Sequence, residues 1–405
     1  MKKLLVLGIV LALTTIPLYA QADWTILNYI EANNNLSFFA NNNIEAMKLV
    51  GSTSNVNILV QLSEPTTKKT WRYKIKQGGK TNHTSLNKDM GLDPEKELID
   101  AVLWAHTHYP AKRFMLIFWN HGGGIIDKHK SKKIYEQHQK KYSRTRSILY
   151  NYQHETFLTN QQLERALKQI SEVRGKKIDI IGMDACLMAS IEIAYQIKDY
   201  ADYFIASENV EIAPGWCYGN FLRKLIAQST MSPLKLMETI ISSFASTNAI
   251  RTPHYTLSAI KLDLMNKISD HINNVILAFY AHKDSADTNK IEQAILKAHA
   301  KTNQFENTGY LDAHHLFFNI EKEIKQLLKQ RNASNKEYLQ TLITQLHAAR
   351  LAIRQAVVYN QTGSSYQKSK GLTLYYPKKS IHNSYENTRF ALDTLWLSFI
   401  KEHRP

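Results

Sequence analysis

Residues 177–190 read KIDIIGMDACLMAS: an apolar run of strand length stops at Gly182, an acid follows at Asp184 and a thiol at Cys186. Helical spacing resumes at once, at Leu187, Ile191, Ala194 and Tyr195. The pattern predicts a buried strand that delivers Cys186 to its carboxyl end, just before a helix N-terminus. Reactive groups collect there in open α/β sheets, and a helix dipole lowers a thiol pKa. The same pattern also fits a small buried residue in a strand-to-helix turn. A second apolar run, 113–119 (RFMLIFW), ends in Asn120, His121, Gly122, Gly123 and Gly124. Glycines remove side chains, so backbone N–H groups there can approach a substrate oxygen. A thiol, an imidazole and backbone donors are the parts of cysteine acyl transfer. His121 alone reads as a loop histidine; two strand ends bearing these groups together point to chemistry.

The elements that must position them follow from periodicity. Residues 24–30 (WTILNYI) read as a first strand, an Asn-rich loop (Asn33, Asn34, Asn35) leads into a helix through Leu49, and 55–62 (NVNILVQL) is a second strand. That is a βαβ unit, with its right-handed crossover. Residues 68–76 read as an exposed strand, with a turn at Gly78 and Gly79. Asp93 as N-cap and Pro94 at the first position open a helix that ends near His108. The near-continuous apolar character of 113–119 is that of a buried parallel strand. Residues 127–158 break the pattern; their basic runs read as an exposed loop, with only modest structure after Ser147. Thr159 then caps a helix over 160–173, the strand 178–183 follows, and a helix over 187–200 leads to a short strand, 201–207. The loop 208–219 (ENVEIAPGWCYG) precedes further helices and a strand over 255–261. Beyond Asp263 the pattern is mainly helical, at 264–283, 288–301, 310–330 and 335–356, with one late strand over 371–376 and a helix from Ser384. The fold class is α/β with a mainly parallel central sheet. The expected organisation is a signal peptide over 1–22, a catalytic domain over 23–262 with its basic loop, and a helical C-terminal region over 263–405.

Met1, Lys2 and Lys3 form a basic start, residues 4–13 an apolar stretch, and Ala20-Gln21-Ala22 a small-residue cleavage site. This is an export signal, with the mature chain starting near Asp23. The apolar stretch is too short for a membrane span, so the expectation is an exported protein without stable membrane insertion, periplasmic or extracellular. The net charge of +16 becomes +14 once Lys2 and Lys3 are lost. Such a field favours acidic surfaces such as cell envelopes; the Lys and Arg residues are scattered, and no nucleic-acid motif is present. At 44% hydrophobic the chain has ample material for a core. Its two cysteines are Cys186 and Cys217; in an exported chain a disulfide is the default for a pair.

The residues resemble the clostripain-like cysteine peptidases of the caspase-type clan. The resemblance rests on 24–30, on Asn120-His121-Gly122, on Asp184-Ala185-Cys186-Leu187-Met188, on 203–219, on 255–260 and on 371–377 (GLTLYYP). It implies a caspase-like α/β/α sandwich and a cysteine endopeptidase acting on protein or peptide substrates as a monomer. Cys186 would attack the scissile carbonyl to give a thioester, and His121 would protonate the leaving amine and then activate water. Backbone N–H groups of Gly122 and Cys186 would form the oxyanion hole. Members of the family typically cleave after Arg or Lys, and Asp184 matches the position of their pocket acid. Its plainer reading is a helix N-cap three residues before Leu187. Glu208 and Glu211 are further pocket candidates. Cys217 departs from the family, where Pro or Asp often stands, which puts a strict basic preference in doubt. Some relatives are cut between the histidine and the cysteine; the basic loop here offers such bonds around 132–146. The sequence requires no cofactor; calcium aids some relatives and is a possible ligand, but no dedicated loop for it is visible.

Two other readings use the same residues. Gly215-Trp216-Cys217-Tyr218-Gly219 has the form of a nucleophile elbow with Cys217 for serine, and His121 with its three glycines resembles the oxyanion loop of esterases, which together describe an α/β-hydrolase. A Cys186–Cys217 disulfide would instead describe a non-catalytic exported binding protein. Zinc chemistry has no H-E-x-x-H, and His106/His108 and His314/His315 have the wrong spacing for a shared helix face.

Overall fold

Apolar runs buried on both faces line up as parallel strands at the centre of the molecule. The computed structural model describes residues 21–65, 69–86, 88–127, 148–281, 288–306, 309–330 and 336–405. Residues 1–20 of the targeting segment and 128–147 of the basic stretch lie outside them. In chain order the strands are β1 (Ala22–Glu31), β2 (Val56–Ser63), β3 (Thr70–Lys76), β4 (Gly79–Leu86), β5 (Ala111–Trp119), β6 (Ile148–Asn151) and β7 (Thr156–Leu158). Then come β8 (Ile178–Asp184), β9 (Ala201–Ala206), β10 (Thr256–Lys261), β11 (Gln304–Phe305), β12 (Tyr310–Asp312), β13 (Val357–Thr362) and β14 (Thr373–Tyr375). Strands β9, β8, β5, β1 and β2 are parallel neighbours in that order. Antiparallel strands extend both edges, giving β13-β10-β9-β8-β5-β1-β2-β3-β4.

Every residue of β1 and β2 is buried, because side chains alternate between two helical layers. Ile26, Ile30, Ile58, Val60, Ile117 and Ile180 face one core, with Ile44, Phe221 and Phe244 from the helices Ser37–Lys48, Tyr218–Ala227 and Pro233–Asn248. Leu27, Tyr29, Leu59, Leu116, Phe118 and Ile181 face the other, with Leu98, Leu163 and Ile268 from the helices Pro94–His108, Asn160–Arg174 and Met265–Tyr280. Each such side chain contributes roughly 1.5–3 kcal/mol by leaving water. The result is an α/β/α sandwich.

Local signals set several boundaries. Asp93 accepts from the Lys96 N–H with Pro94 following, and Thr159 makes a reciprocal capping box with Gln162. One boundary differs from expectation. The helix after Cys186 is Ile191–Ile197, capped by the Ser190 hydroxyl on the Ile193 N–H at 3.1 Å. The preceding backbone is committed elsewhere: Leu187 N–H donates to the Asn209 carbonyl at 3.1 Å, Ala189 N–H to Ser207 at 2.9 Å, and Ala189 O accepts from Thr373 at 2.9 Å. A helix cannot begin where these groups already bond other segments.

The C-terminal region also differs. Its helices include Thr288–Lys301, Ala313–Leu328 and Lys336–Ala356, but it supplies four strands among the described residues rather than one. β13 closes an edge of the main sheet, and β11, β12 and β14 form a small sheet of their own. Strands of two and three residues are too short to show a period. Ile353, Leu374 and Phe399 share one apolar core with Leu116 and Ile181 of the central sheet. Among the described residues, no helix is long and apolar enough to cross a membrane.

Candidate active site

Strands β5 and β8 are parallel neighbours in a register that sets Trp119 beside Asp184. The residues that follow both strands therefore emerge side by side. Asn120 is buried and fixes the histidine loop: its amide donates to the Glu31 carbonyl at 2.5 Å and to the Tyr150 carbonyl at 3.1 Å, and its oxygen accepts the His121 backbone N–H. His121 Nε2 meets Asn35 Oδ1 at 2.8 Å, and the Tyr152 hydroxyl donates to that same oxygen at 2.8 Å. The imidazole lies parallel to the Tyr152 ring, with 3° between their planes and 6.5 Å between centroids.

Gly122 lies against the backbone of the cysteine segment. A Cβ built there would meet Cys186 N and the Ala185 Cβ at 3.0 Å and would collide with the Cys186 carbonyl oxygen. Gly124, at φ +69, lies under Tyr310, whose hydroxyl donates to the Gly123 carbonyl at 2.9 Å and accepts from the Ile126 N–H at 3.2 Å. Tyr310 comes from β12, so the C-terminal region clamps the glycine loop from across the chain.

Cys186 is half-buried, its Sγ 3.8 Å from the Glu211 carbonyl oxygen. Burial pushes the thiol up to about 11, and the charges of Glu306 and Asp184 add to this. The lowering expected from a helix dipole is absent, because the helix begins at Ile191 and the intervening residues are extended or turned. Leu187 itself sits at φ 65, a left-handed conformation that costs roughly 1–2 kcal/mol in a non-glycine residue. It holds the turn that separates the thiol from the helix.

Asp184 is the last residue of β8 and is buried. Its Oδ2 accepts the Trp216 N–H at 3.1 Å and the Tyr218 hydroxyl at 2.9 Å, while Gly215, at φ +81, leaves room for the carboxyl. Asp184 is therefore not a helix N-cap; that role belongs to Ser190. Burial pushes Asp184 up to about 6, offset by hydrogen bonds from Glu211, Trp216 and Tyr218. Burial, followed by the neighbouring charge of Asp184, raises Glu211 well above the carboxylate range. Burial and the proximity of Asp184 thus favour the protonated form of Glu211. Glu208 does not join these two acids. Its Oε2 accepts the Gly371 N–H at 3.0 Å, and burial together with the charge of Asp312, itself raised to about 6 by burial, lifts Glu208 well above the carboxylate range. The structure thus gathers His121, Gly122, Cys186, Asp184 and Glu211 at one end of the sheet and sets Glu208 in a second acid pair with Asp312.

Cys217 is also a free thiol, with Sγ 3.1 Å from the Thr247 hydroxyl. The disulfide-linked binding protein is overturned by this. The nucleophile elbow fails as well: β9 ends at Ala206, and Cys217 starts the helix Tyr218–Ala227 from an irregular loop. No strand feeds the turn that an elbow requires. Among the described residues, no group of three or more His, Cys, Asp or Glu could hold a metal ion. Asn35, Tyr152, Tyr310 and Glu306 are site neighbours that periodicity does not reveal. The Asn-rich loop directly after β1 is the visible trace of the first.

The sequence profile of the clostripain family (Peptidase_C11) matches residues 28–402. Clostripain of Hathewaya histolytica is 26% identical over 239 residues, 50% of this chain and 42% of that protein, so the match spans less than half of the relative. Among solved structures, a secreted C11 cysteine protease from Bacteroides thetaiotaomicron, "iotapain", aligns with TM-score 0.63 at 16% identity over 92% of this chain and 99% of its own. The complex of a secreted C11 cysteine protease of that organism with an irreversible peptide inhibitor gives 0.64 at 17%, covering 93% and 100%. An inactive zymogen C11 protease from Parabacteroides distasonis gives 0.62 at 17%, covering 92% and 98%. These likenesses show a common caspase-like α/β/α fold. With its family match running over nearly the whole length, this chain belongs to the clostripain family.

Proposed function

We propose that this protein is an exported cysteine endopeptidase that cleaves peptide bonds after Arg or Lys. The observation that carries the reading is the seating of the glycine after His121 on the backbone of Cys186. That contact supports a site in which an imidazole, a thiol and backbone donors serve one scissile carbonyl.

Cys186 Sγ attacks the carbonyl carbon, and its proton passes to His121. The tetrahedral oxyanion is held by the Gly122 and Cys186 N–H groups, each worth about 3–4 kcal/mol in comparable sites. Collapse breaks the C–N bond, His121 protonates the departing amine, and a thioester remains. Water then adds with His121 as base, releasing the acid and restoring the thiol. A thiol held near 11 by burial favours proton transfer concerted with attack over a standing thiolate.

Asp184, backed by Glu211, forms the floor of the pocket for a basic side chain. Export follows from the signal over 1–22, and the protein acts in the periplasm or outside the cell. Self-cleavage in the basic loop, around 132–146, completes maturation; the family includes a protein solved as an inactive zymogen. Reporter peptides ending in Arg, Lys or Ala, offered to wild type and to Cys186→Ala, test the reading. Arg and Lys release is expected from wild type alone; full activity in the mutant would sink it.

A further inference from the structure

We propose that Asn35 is a positioning residue of this site: it fixes the proton of His121 on Nε2 and leaves Nδ1 as the basic nitrogen, with Tyr152 locking the amide. The proposal rests on the dyad reading above. Asn35 Oδ1 receives two contacts at 2.8 Å, one from His121 Nε2 and one from the Tyr152 hydroxyl. A carbonyl oxygen only accepts, so the imidazole nitrogen facing it carries the hydrogen. The neutral ring then holds its lone pair on Nδ1, the tautomer a general base must present. This is the part a third group plays wherever a nucleophile's base is oriented.

The loop is built to hold that amide still. Asn33 and Asn34, its two buried neighbours, each carry a separate anchoring task. Asn33 donates from its side chain to Gln153 at 3.1 Å and accepts from the Tyr152 N–H through its carbonyl at 2.9 Å. Asn34 donates to the Glu31 carbonyl at 3.2 Å and the Tyr150 carbonyl at 3.1 Å, and its oxygen accepts the Leu36 N–H at 2.8 Å. The loop after β1 is thereby tied to the segment that supplies Tyr152, and Asn120 bonds the same Tyr150 carbonyl from the histidine side. Three segments distant in the chain converge on the orientation of one ring. Of the three loop asparagines, Asn35, exposed at the surface, is the one whose side chain turns to the imidazole.

An amide oxygen stabilises an imidazolium less than a carboxylate does, and this sets the sign of each test. In Asn35→Ala, kcat on an Arg reporter is expected to fall about 10–100-fold through misorientation, with KM within about twofold. The acidic limb of the kcat/KM profile, where the His121 base loses its proton, should move to lower pH. In Asn35→Asp that limb should move to higher pH. Tyr152→Phe keeps the ring and removes the lock, giving a smaller loss in the same direction. ¹⁵N NMR of the histidine rings, assigned through His121→Gln, should show protonated Nε2 in wild type and mixed tautomers in Asn35→Ala. Unchanged pH limbs and an unchanged tautomer in Asn35→Ala, even alongside lowered thermal stability, would overturn the proposal. If wild type lacked Cys186-dependent cleavage the dyad reading would fail, and the tautomer measurement would still decide the role of Asn35.

Discussion

Gly122 is in backbone contact with Cys186 across the ends of two neighbouring parallel strands, so closely that a methyl group on the glycine would overlap the cysteine carbonyl oxygen. The contact sets the loop after β5 directly against the residues after β8.

Gly122→Ala should therefore separate the strand ends rather than fill a void. Overpacking of this kind costs about 1–3 kcal/mol of stability, and displacing an oxyanion donor lowers kcat by about 10²-fold or more. Denaturant melts with parallel reporter assays measure both. Near-native turnover in the variant would show that this contact does not set the site.

Asp184→Asn should remove the preference for a basic residue while leaving slow cleavage of uncharged reporters. Losing one partner of a buried charge pair costs roughly 2–5 kcal/mol, so the Arg-to-Ala ratio of kcat/KM should collapse by two orders of magnitude or more. Because burial raises Asp184 to about 6, the charged form that attracts a cation appears as pH rises. In wild type the ratio should grow between about pH 5 and 7.5. A flat ratio across that range would exclude Asp184 as the pocket acid.

Glu192 makes a stability prediction with a definite sign. Its carboxyl is buried beneath the C-terminal segment, with Oε1 accepting the Tyr375 N–H at 2.8 Å and the Tyr385 hydroxyl at 3.2 Å. Burial pushes it up to about 7. A carboxyl raised on folding contributes stability that is fully present below its unfolded pKa and is lost as pH rises through the folded value. Wild-type stability should thus decline between about pH 5 and 8, and Glu192→Gln should flatten that decline. At about pH 8 the variant should be more stable by about 1–3 kcal/mol, since a tenfold change in proton affinity between the folded and unfolded states is worth about 1.4 kcal/mol. Urea melts across pH decide; a variant as pH-dependent as wild type would show that Glu192 is not the group titrating.

Self-processing predicts that purified wild type accumulates a nick between 128 and 147 and that Cys186→Ala remains intact under the same conditions. Intact mass and N-terminal sequencing identify the bond, expected after Lys or Arg around 132–146. Identical nicks in the mutant would assign the cut to another protease.

Much of the architecture is legible along the chain because its signals are local. Apolar runs as continuous as 113–119 mark buried parallel strands, and the caps at Asp93 and Thr159 start their helices where periodicity places them. The helix after Cys186 starts later than its spacing suggests, because Leu187 has helical spacing while its backbone bonds the Asn209 loop. Strands β11, β12 and β13 leave no mark in the sequence pattern because pairing partners, rather than composition, create them.

Residue type and order alone determined that a histidine followed by glycines and an acid–x–thiol motif each end a buried strand, since periodicity and turn residues report neighbours a few positions apart. Tertiary structure decided the rest. It alone separated Glu211, paired with Asp184, from Glu208, paired with Asp312, three residues away. It kept Cys186 and Cys217 apart as free thiols, and it brought Asn35, Tyr152 and Tyr310 to the site. Such assignments depend on which strand lies beside which and on the few ångströms between their ends, and no spacing within one segment encodes that.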